Sequence, residues 1–287
     1  MNIASFRKYK YSSGFTLLEL LVAMSLGLFL MAGLIQVLLA NREIFRVQEN
    51  SARMQEDGRF AVTVLNNVVS LTGYREEASS SMVSLFPEYT TSANPPAQTF
   101  EDGEVVNGMD NDTASGGNIK DGSDSIAVRY RSDGTTLDCL GSTVADGLIS
   151  VNRFYIDDDD TLNCRSDVHD PVADTTVSSS TQPLIDNVAD MQIRYGMSTG
   201  NVFHDVAAEC YIDPSVGIDT GADCTSLNFD QVVSVRISLL LHSNDDGLTP
   251  DNAPSTYSFE GVNNVLADDN RLYRTVTATI AMRNKIL

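Results

Sequence analysis

A chain of 287 residues with 39 acidic and 19 basic side chains carries a formal net charge of −20, which argues against direct nucleic-acid binding because phosphates attract basic surfaces. The 42% hydrophobic and 20% charged composition is that of a folded protein and excludes a disordered one. The length suits one large domain or two small ones, with enough chain to bury a core.

Arg7, Lys8 and Lys10 come first, and no acidic residue precedes Gly14. From Leu20 to Ala40 no side chain bears a formal charge. At about 1.5 Å of rise per helical residue, this run spans a bilayer core. Basic residues ahead of an apolar segment stay in the cytoplasm, so the expected topology is a single pass with the N-terminus cytoplasmic and the remaining chain across the membrane. A secretory signal is also basic and then apolar, but it is shorter and ends at a small-x-small cut site. Here the helical pattern continues: Ile44, Val47, Met54, Ala61, Leu65 and Val68 keep helical spacing, with Arg42, Glu43, Arg46, Glu49, Arg53, Glu56 and Arg59 between them. No proline interrupts Phe15 to Leu71, and Gly73 is a reasonable stop. One residue is out of place. Glu19 puts a carboxylate near the start of the apolar run, where it is costly without a partner.

The string Gly14-Phe15-Thr16-Leu17-Leu18-Glu19, behind a short basic stretch, resembles the prepilin cleavage motif of type IV pilins and type II secretion pseudopilins. The resemblance implies four segments: a basic leader at 1–14, a transmembrane and filament-core helix at 15–40, an amphipathic helical half at 41–73, and a globular head at 74–287. It implies that a prepilin peptidase cuts after Gly14 and methylates the new amine of Phe15. It places Glu19 where a neighbouring subunit's amine can meet it during assembly. A buried pair of that kind favours register more than it adds stability. The competing reading is a plain signal anchor whose glutamate snorkels to the interface, and the full string is far more specific than a lone glutamate.

Beyond Gly73 short period-two segments alternate with loops. Ile126, Val128 and Tyr130 alternate with Ala127, Arg129 and Arg131, and 148–156 is β-branched and aromatic-rich. Met191, Ile193 and Tyr195 alternate, and Val233, Val235, Ile237, Leu239 and Leu241 make the clearest strand. Leu272, Val276, Ala278, Ile280 and Met282 face away from a threonine row at Thr275, Thr277 and Thr279. The stretches 78–124, 157–180 and 243–270 read as long loops. The expected fold is α+β, with the long N-terminal helix packed on a mostly antiparallel sheet.

The segments SARMQEDGRFAVTVLNNVV, VNRFYIDDDDTLNCR, QPLIDNVADMQIRYG, VVSVRISLLL and LYRTVTATIAMRN together look like the PilW family of minor pilins. That resemblance implies a structural subunit that is not an enzyme. It implies a place at the filament tip, where it helps initiate assembly with other minor pilins and the major pilin, and where such a complex can present a large adhesin. The rival readings are a J-type minor pseudopilin of a type II secretion system and a membrane-anchored adhesin or binding module.

Cys139, Cys164, Cys210 and Cys224 form no C-x-x-C pair, and His169, His204 and His242 lie far apart, so a metal reading is weak. An even cysteine count beyond a membrane segment points to two disulfides. Sequential pairing, Cys139 with Cys164 and Cys210 with Cys224, closes short loops; it is one of three connectivities, beside the alternative of buried thiols. Calcium is the fairer competitor. Asp110, Asp112, Asp121 and Asp124 crowd one loop and Asp157 to Asp160 form a run, but neither fits an EF-hand, and solvated acidic turns are preferred with no cofactor. Mutual repulsion should hold the Asp157 run in water. His169-Asp170 and His204-Asp205 are sequence neighbours and form no triad by themselves.

Overall fold

The computed structural model describes residues 14–77, 80–91, 97–110, 119–198, 207–213, 217–218, 228–250, 253–259 and 262–285. Contacts divide the chain into two compact units, residues 1–49 and 50–287. One helix, α1 (Leu17–Val69), contributes to both. A four-residue helix α2 (Met82–Leu85) follows. The strands are β1 (Tyr89–Thr90), β2 (Thr99–Phe100), β3 (Val106–Met109), β4 (Ser125–Arg131), β5 (Ile149–Ile156), β6 (Leu162–Asp170), β7 (Thr175–Ile185), β8 (Val188–Met197), β9 (Cys210–Asp213), β10 (Gly217–Ile218), β11 (Val232–His242), β12 (Thr256–Phe259), β13 (Val262–Leu266) and β14 (Tyr273–Ala281).

The described part of the first unit is helical from Leu17, and its apolar side chains are exposed except for the half-buried Val47. By length and composition this helix can cross a membrane.

The second unit holds two five-stranded antiparallel sheets. One is the meander β3-β4-β5-β6-β7, and the other has the order β10-β9-β8-β11-β14. The fold is therefore α+β with antiparallel sheets. Period-two alternation explains the layers. Ile126 and Val128 of β4, Phe154 and Ile156 of β5, and Leu162 and Cys164 of β6 enter the main core. Met191, Ile193, Tyr195 and Met197 of β8 meet them there with Val235, Ile237, Leu239 and Leu241 of β11. Ala61, Leu65, Val68 and Val69 supply the buried stripe of α1. Each such apolar side chain contributes about 1.5–3 kcal/mol when fully buried. Ile44 departs from the expected stripe: it is exposed, and burial along α1 begins at Asn50. Gly58 lets the helix approach β14 closely, since a Cβ there would stand 2.8 Å from Val276 Cγ2. Gly73 ends the helical segment in the left-handed region, at φ +74°, and its N–H donates to Arg129 O at 3.0 Å.

The opposite face of the meander is covered by the segment around α2, β1 and β2. Phe86, Phe100 and Val105 pack there on Ala127, Ile149 and Val151. The stretch 78–124, expected as a long loop, thus supplies a second apolar layer. The other two expected loops also hold strands: 157–180 contains β6 and the first half of β7, and 243–270 contains the hairpin β12–β13. The sequence signal was missed because β7 and β12 bury too little to show apolar alternation.

Asp160, Asp174 and Asn187 have φ of 58°, 52° and 63°, and each sits in a turn joining consecutive strands from β5 to β8. Asp and Asn tolerate this region better than other residues with a Cβ. At Asp186-Asn187 the chain leaves the first sheet and enters the second. The β11 alternation carries a correction as well. A register shift between Val232 and Ser234 puts Val232, and not Val233, in the main core, although both are buried.

Candidate functional site

Gly14 and Phe15 precede α1, and Phe15 is 88% exposed. Thr16 and Glu19 then form a reciprocal cap on the helix. The Thr16 N–H and hydroxyl both donate to Glu19 Oε2, at 3.0 and 3.1 Å, and the Glu19 N–H donates to Thr16 Oγ1 at 3.2 Å. This is the capping box of a Thr-x-x-Glu sequence, with a negative charge at the positive end of the helix dipole. It gives the carboxylate of a lone chain a local partner set. Thr16 holds the Glu19 carboxylate, a contact that the three-residue Thr-x-x-Glu spacing signals in the sequence. Further along the apolar run, the Ser25 hydroxyl donates to Val22 O at 2.9 Å, so the helix backbone satisfies it.

Of the other sequence-selected residues, Cys139 and Cys164 form a disulfide with Cα atoms 6.4 Å apart. It ties the β4–β5 connection to β6 inside the core, and the Cys139 N–H donates to Asn152 Oδ1 at 2.8 Å. Cys210 is disulfide-bonded, and Cys224, the partner expected for it, lies outside the described residues.

The acidic loops are engaged by the fold. Asp124 Oδ2 accepts the Ile193 N–H at 2.7 Å and joins the two sheets. Asp112 lies outside the described residues. Asp157 Oδ1 accepts the N–H groups of Asp159 and Thr161 at 3.1 and 2.9 Å. Asp160 corrects the expectation that repulsion keeps the whole run in water. It pairs with Lys120, and His242 Nε2 lies 3.0 Å from its Oδ2, so only Asp158 and Asp159 are fully exposed. Among the described residues no three His, Cys, Asp or Glu side chains converge as metal ligands would.

Buried charge elsewhere in the head joins chain segments. Arg129 is fully buried between the rings of Phe86 and Phe100, and donates to the carbonyls of Glu104, Pro87, Phe86 and Glu101. Burial pushes its pKa down to about 10 while Glu104 and Asp102 act the other way, so it stays charged near neutral pH. Asp167 is held between Arg153, at 3.5 Å, and Arg165, at 3.0 Å. His169 is buried against Tyr89, ring centroids 4.4 Å apart, and burial lowers its pKa. His204 and Asp205 lie outside the described residues.

Two family models match the chain. Residues 153–284 match the type IV pilus-assembly protein W family, and residues 9–35 match the prokaryotic N-terminal methylation motif. No curated protein matches the chain. The first match covers β6, β7, β8, β11 and β14 of the head, and the second covers the capping box and the apolar turns that follow.

Proposed function

Since the chain is a type IV pilin-like protein similar to the PilW family, we propose that it is a minor type IV pilin that helps initiate pilus assembly at the filament tip. The observation that carries this reading is the N-terminal site. A Gly14-Phe15 junction stands directly before the capped start of α1, whose apolar side chains are exposed through the matched methylation motif at 9–35. In this reading residues 1–14 are a basic leader, 15–40 anchor and later filament core, 41–73 an amphipathic half and 74–287 the head. The N-terminus faces the cytoplasm, and the head is first periplasmic and then exposed at the pilus tip. Prepilin peptidase cuts after Gly14 and methylates Phe15. The partners are other minor pilins, the major pilin, inner-membrane lipid and a large tip adhesin, and no cofactor is needed.

The geometry adds a step to the assembly logic. Before assembly the Glu19 carboxylate is satisfied by its own helix through Thr16. In the filament it exchanges that partner for the Phe15 amine of a neighbouring subunit. The exchange costs little because one charge-assisted hydrogen-bond set replaces another. Register is then selected, since a misplaced subunit leaves the carboxylate with its Thr16 hydrogen bonds but no opposite charge in an apolar core.

The test is the N-terminal mass of the protein isolated from membranes. A chain that begins at N-methylated Phe15 supports the reading. An intact Met1, or a cut beyond Ala40, overturns it. Glu19→Lys should abolish or weaken incorporation into pili while membrane insertion persists. Full activity of that variant in assembly would refute the register role.

A further inference from the structure

The meander ends on an unusual edge. β7 is 11 residues long, and from Thr175 to Pro183 every side chain is exposed. Among the described residues no strand pairs with its outer edge. Natural sheets blunt such an edge with lysines, inward charges or a covering element. Within β7 the devices are Pro183 and the irregularities in its pairing with β6 at Val177 and Leu184, and the strand contains no charged residue. Thr175, Thr176, Val177 and Thr181 are β-branched and hold the backbone extended. The strand is also fastened from behind. Arg165 Nη2 donates to the Ser179 hydroxyl, which donates to Asp167, and the hydroxyls of Tyr89 and Thr176 lie 3.1 Å apart. The result is an uncharged row of main-chain donors and acceptors open to solvent, most regular from Ser178 to Pro183.

Charge defines what fits it. Between Arg165 and Arg194 the sequence holds no lysine or arginine. Asp170 and Asp174 stand at one end of β7, and Asp186 stands at the other, where Asp57 and Arg53 of α1 line the same pocket. The second end also lies beside the β5–β6 turn, because Thr161 Oγ1 donates to Asp186 Oδ1 at 3.3 Å and that turn exposes Asp158 and Asp159. A second copy of this chain is a poor occupant. Pairing β7 with β7 in either direction sets aspartates against aspartates, on top of a net charge of −20 per chain. We propose that the outer edge of β7 is the docking site for an extended segment of a different polypeptide, which adds a strand to the sheet and carries lysine or arginine at its ends. Main-chain hydrogen bonds supply the affinity, and the basic ends set orientation and rate. The proposal stands on β7 itself and holds whether or not the chain is a tip pilin.

The experiment uses the full chain in detergent micelles and amide hydrogen exchange over 175–185. The probe is a short peptide of alternating threonine and valine with a lysine at each end. The comparison peptide carries glutamates instead. The lysine-ended peptide should slow exchange across β7, lose affinity as salt rises, and bind at least about tenfold more tightly than the glutamate-ended one. Ser178→Lys with Ser180→Lys should remove the protection at unchanged thermal midpoint, and Ser178→Thr with Ser180→Thr should keep it. If the lysine variant folds poorly, the two peptides on the native chain still decide the matter. No protection by the lysine-ended peptide overturns the proposal. Equal protection by both peptides overturns its charge argument, and protection that rises with protein concentration alone assigns the edge to a second copy.

Discussion

β7 and β11 are both 11 residues long, and they have opposite environments. β11 lies between β8 and β14, and every residue but Arg236 is buried. Even Arg236 is occupied, with its guanidinium 4.2 Å from the centroid of the Tyr211 ring. β7 buries only Ile185. β11 is held by packing on side chains, whereas β7 is held by its ladder to β6 and a few hydroxyl contacts. The contrast shows that strand length and main-chain pairing do not report what a strand contributes to stability. They also leave different work open. A strand buried on both faces cannot meet a partner, and one exposed on both faces has little else to do.

This contrast can be tested from its largest expected effect downward. Leu239→Ala in β11 should cost about 2–5 kcal/mol, because it opens a cavity in the main core that cannot fully collapse. A denaturant midpoint showing less than about 1 kcal/mol would mean the core is far looser than it looks. Replacing Cys139 and Cys164 by serine should cost about 2–4 kcal/mol, the range for closing a loop of 25 residues. Because Cys164 lies in β6, loss of the bridge should raise hydrogen exchange in β6 and β7 before β11. No difference between the strands would sink the view that β7 depends on β6.

A smaller effect belongs to acid. Asp133 accepts the Thr135 N–H and hydroxyl at 2.9 and 2.8 Å and the Tyr74 hydroxyl at 2.9 Å, and these bonds hold its carboxyl down to about 2. The folded pKa lies below the unfolded one, so the contribution is complete above about pH 4 and is lost as pH falls toward 2. Thermal melts of Asp133→Asn should therefore differ from the native chain at pH 5 and converge with it near pH 2. The smallest effect is in β7: Val177→Ala should change stability by no more than about 0.5 kcal/mol, as expected for an exposed site. A loss on the scale of Leu239→Ala would show that β7 is covered by something.

Legibility followed the same division. The strands β4, β5, β8, β11 and β14 were visible because one or both faces carry apolar residues in alternation. Residues 175–180 of β7 fall within the expected loop 157–180, because serines and threonines on both faces leave no such pattern, and the strand exists only through pairing with β6. The string from Gly14 to Glu19 stands out as a motif because its parts are sequence neighbours. The cap between Thr16 and Glu19 was written in the same few residues. Arg129, Asp167 and the Asp160–Lys120–His242 cluster were not, because their partners come from distant segments.

The linear chain dictates the apolar helix, its charge-free span, the cleavage-like junction and the acidity, because these depend on local order and composition. The 139–164 bridge and the core strands were accessible as expectations, since loop closure and period-two burial leave marks in sequence. Contacts across the fold alone determined which face each strand buries, where α1 begins to pack, and which edge is left open. Burial is a property of neighbours, and β7 acquires its exposed edge from the sheet's order and not from any residue it contains.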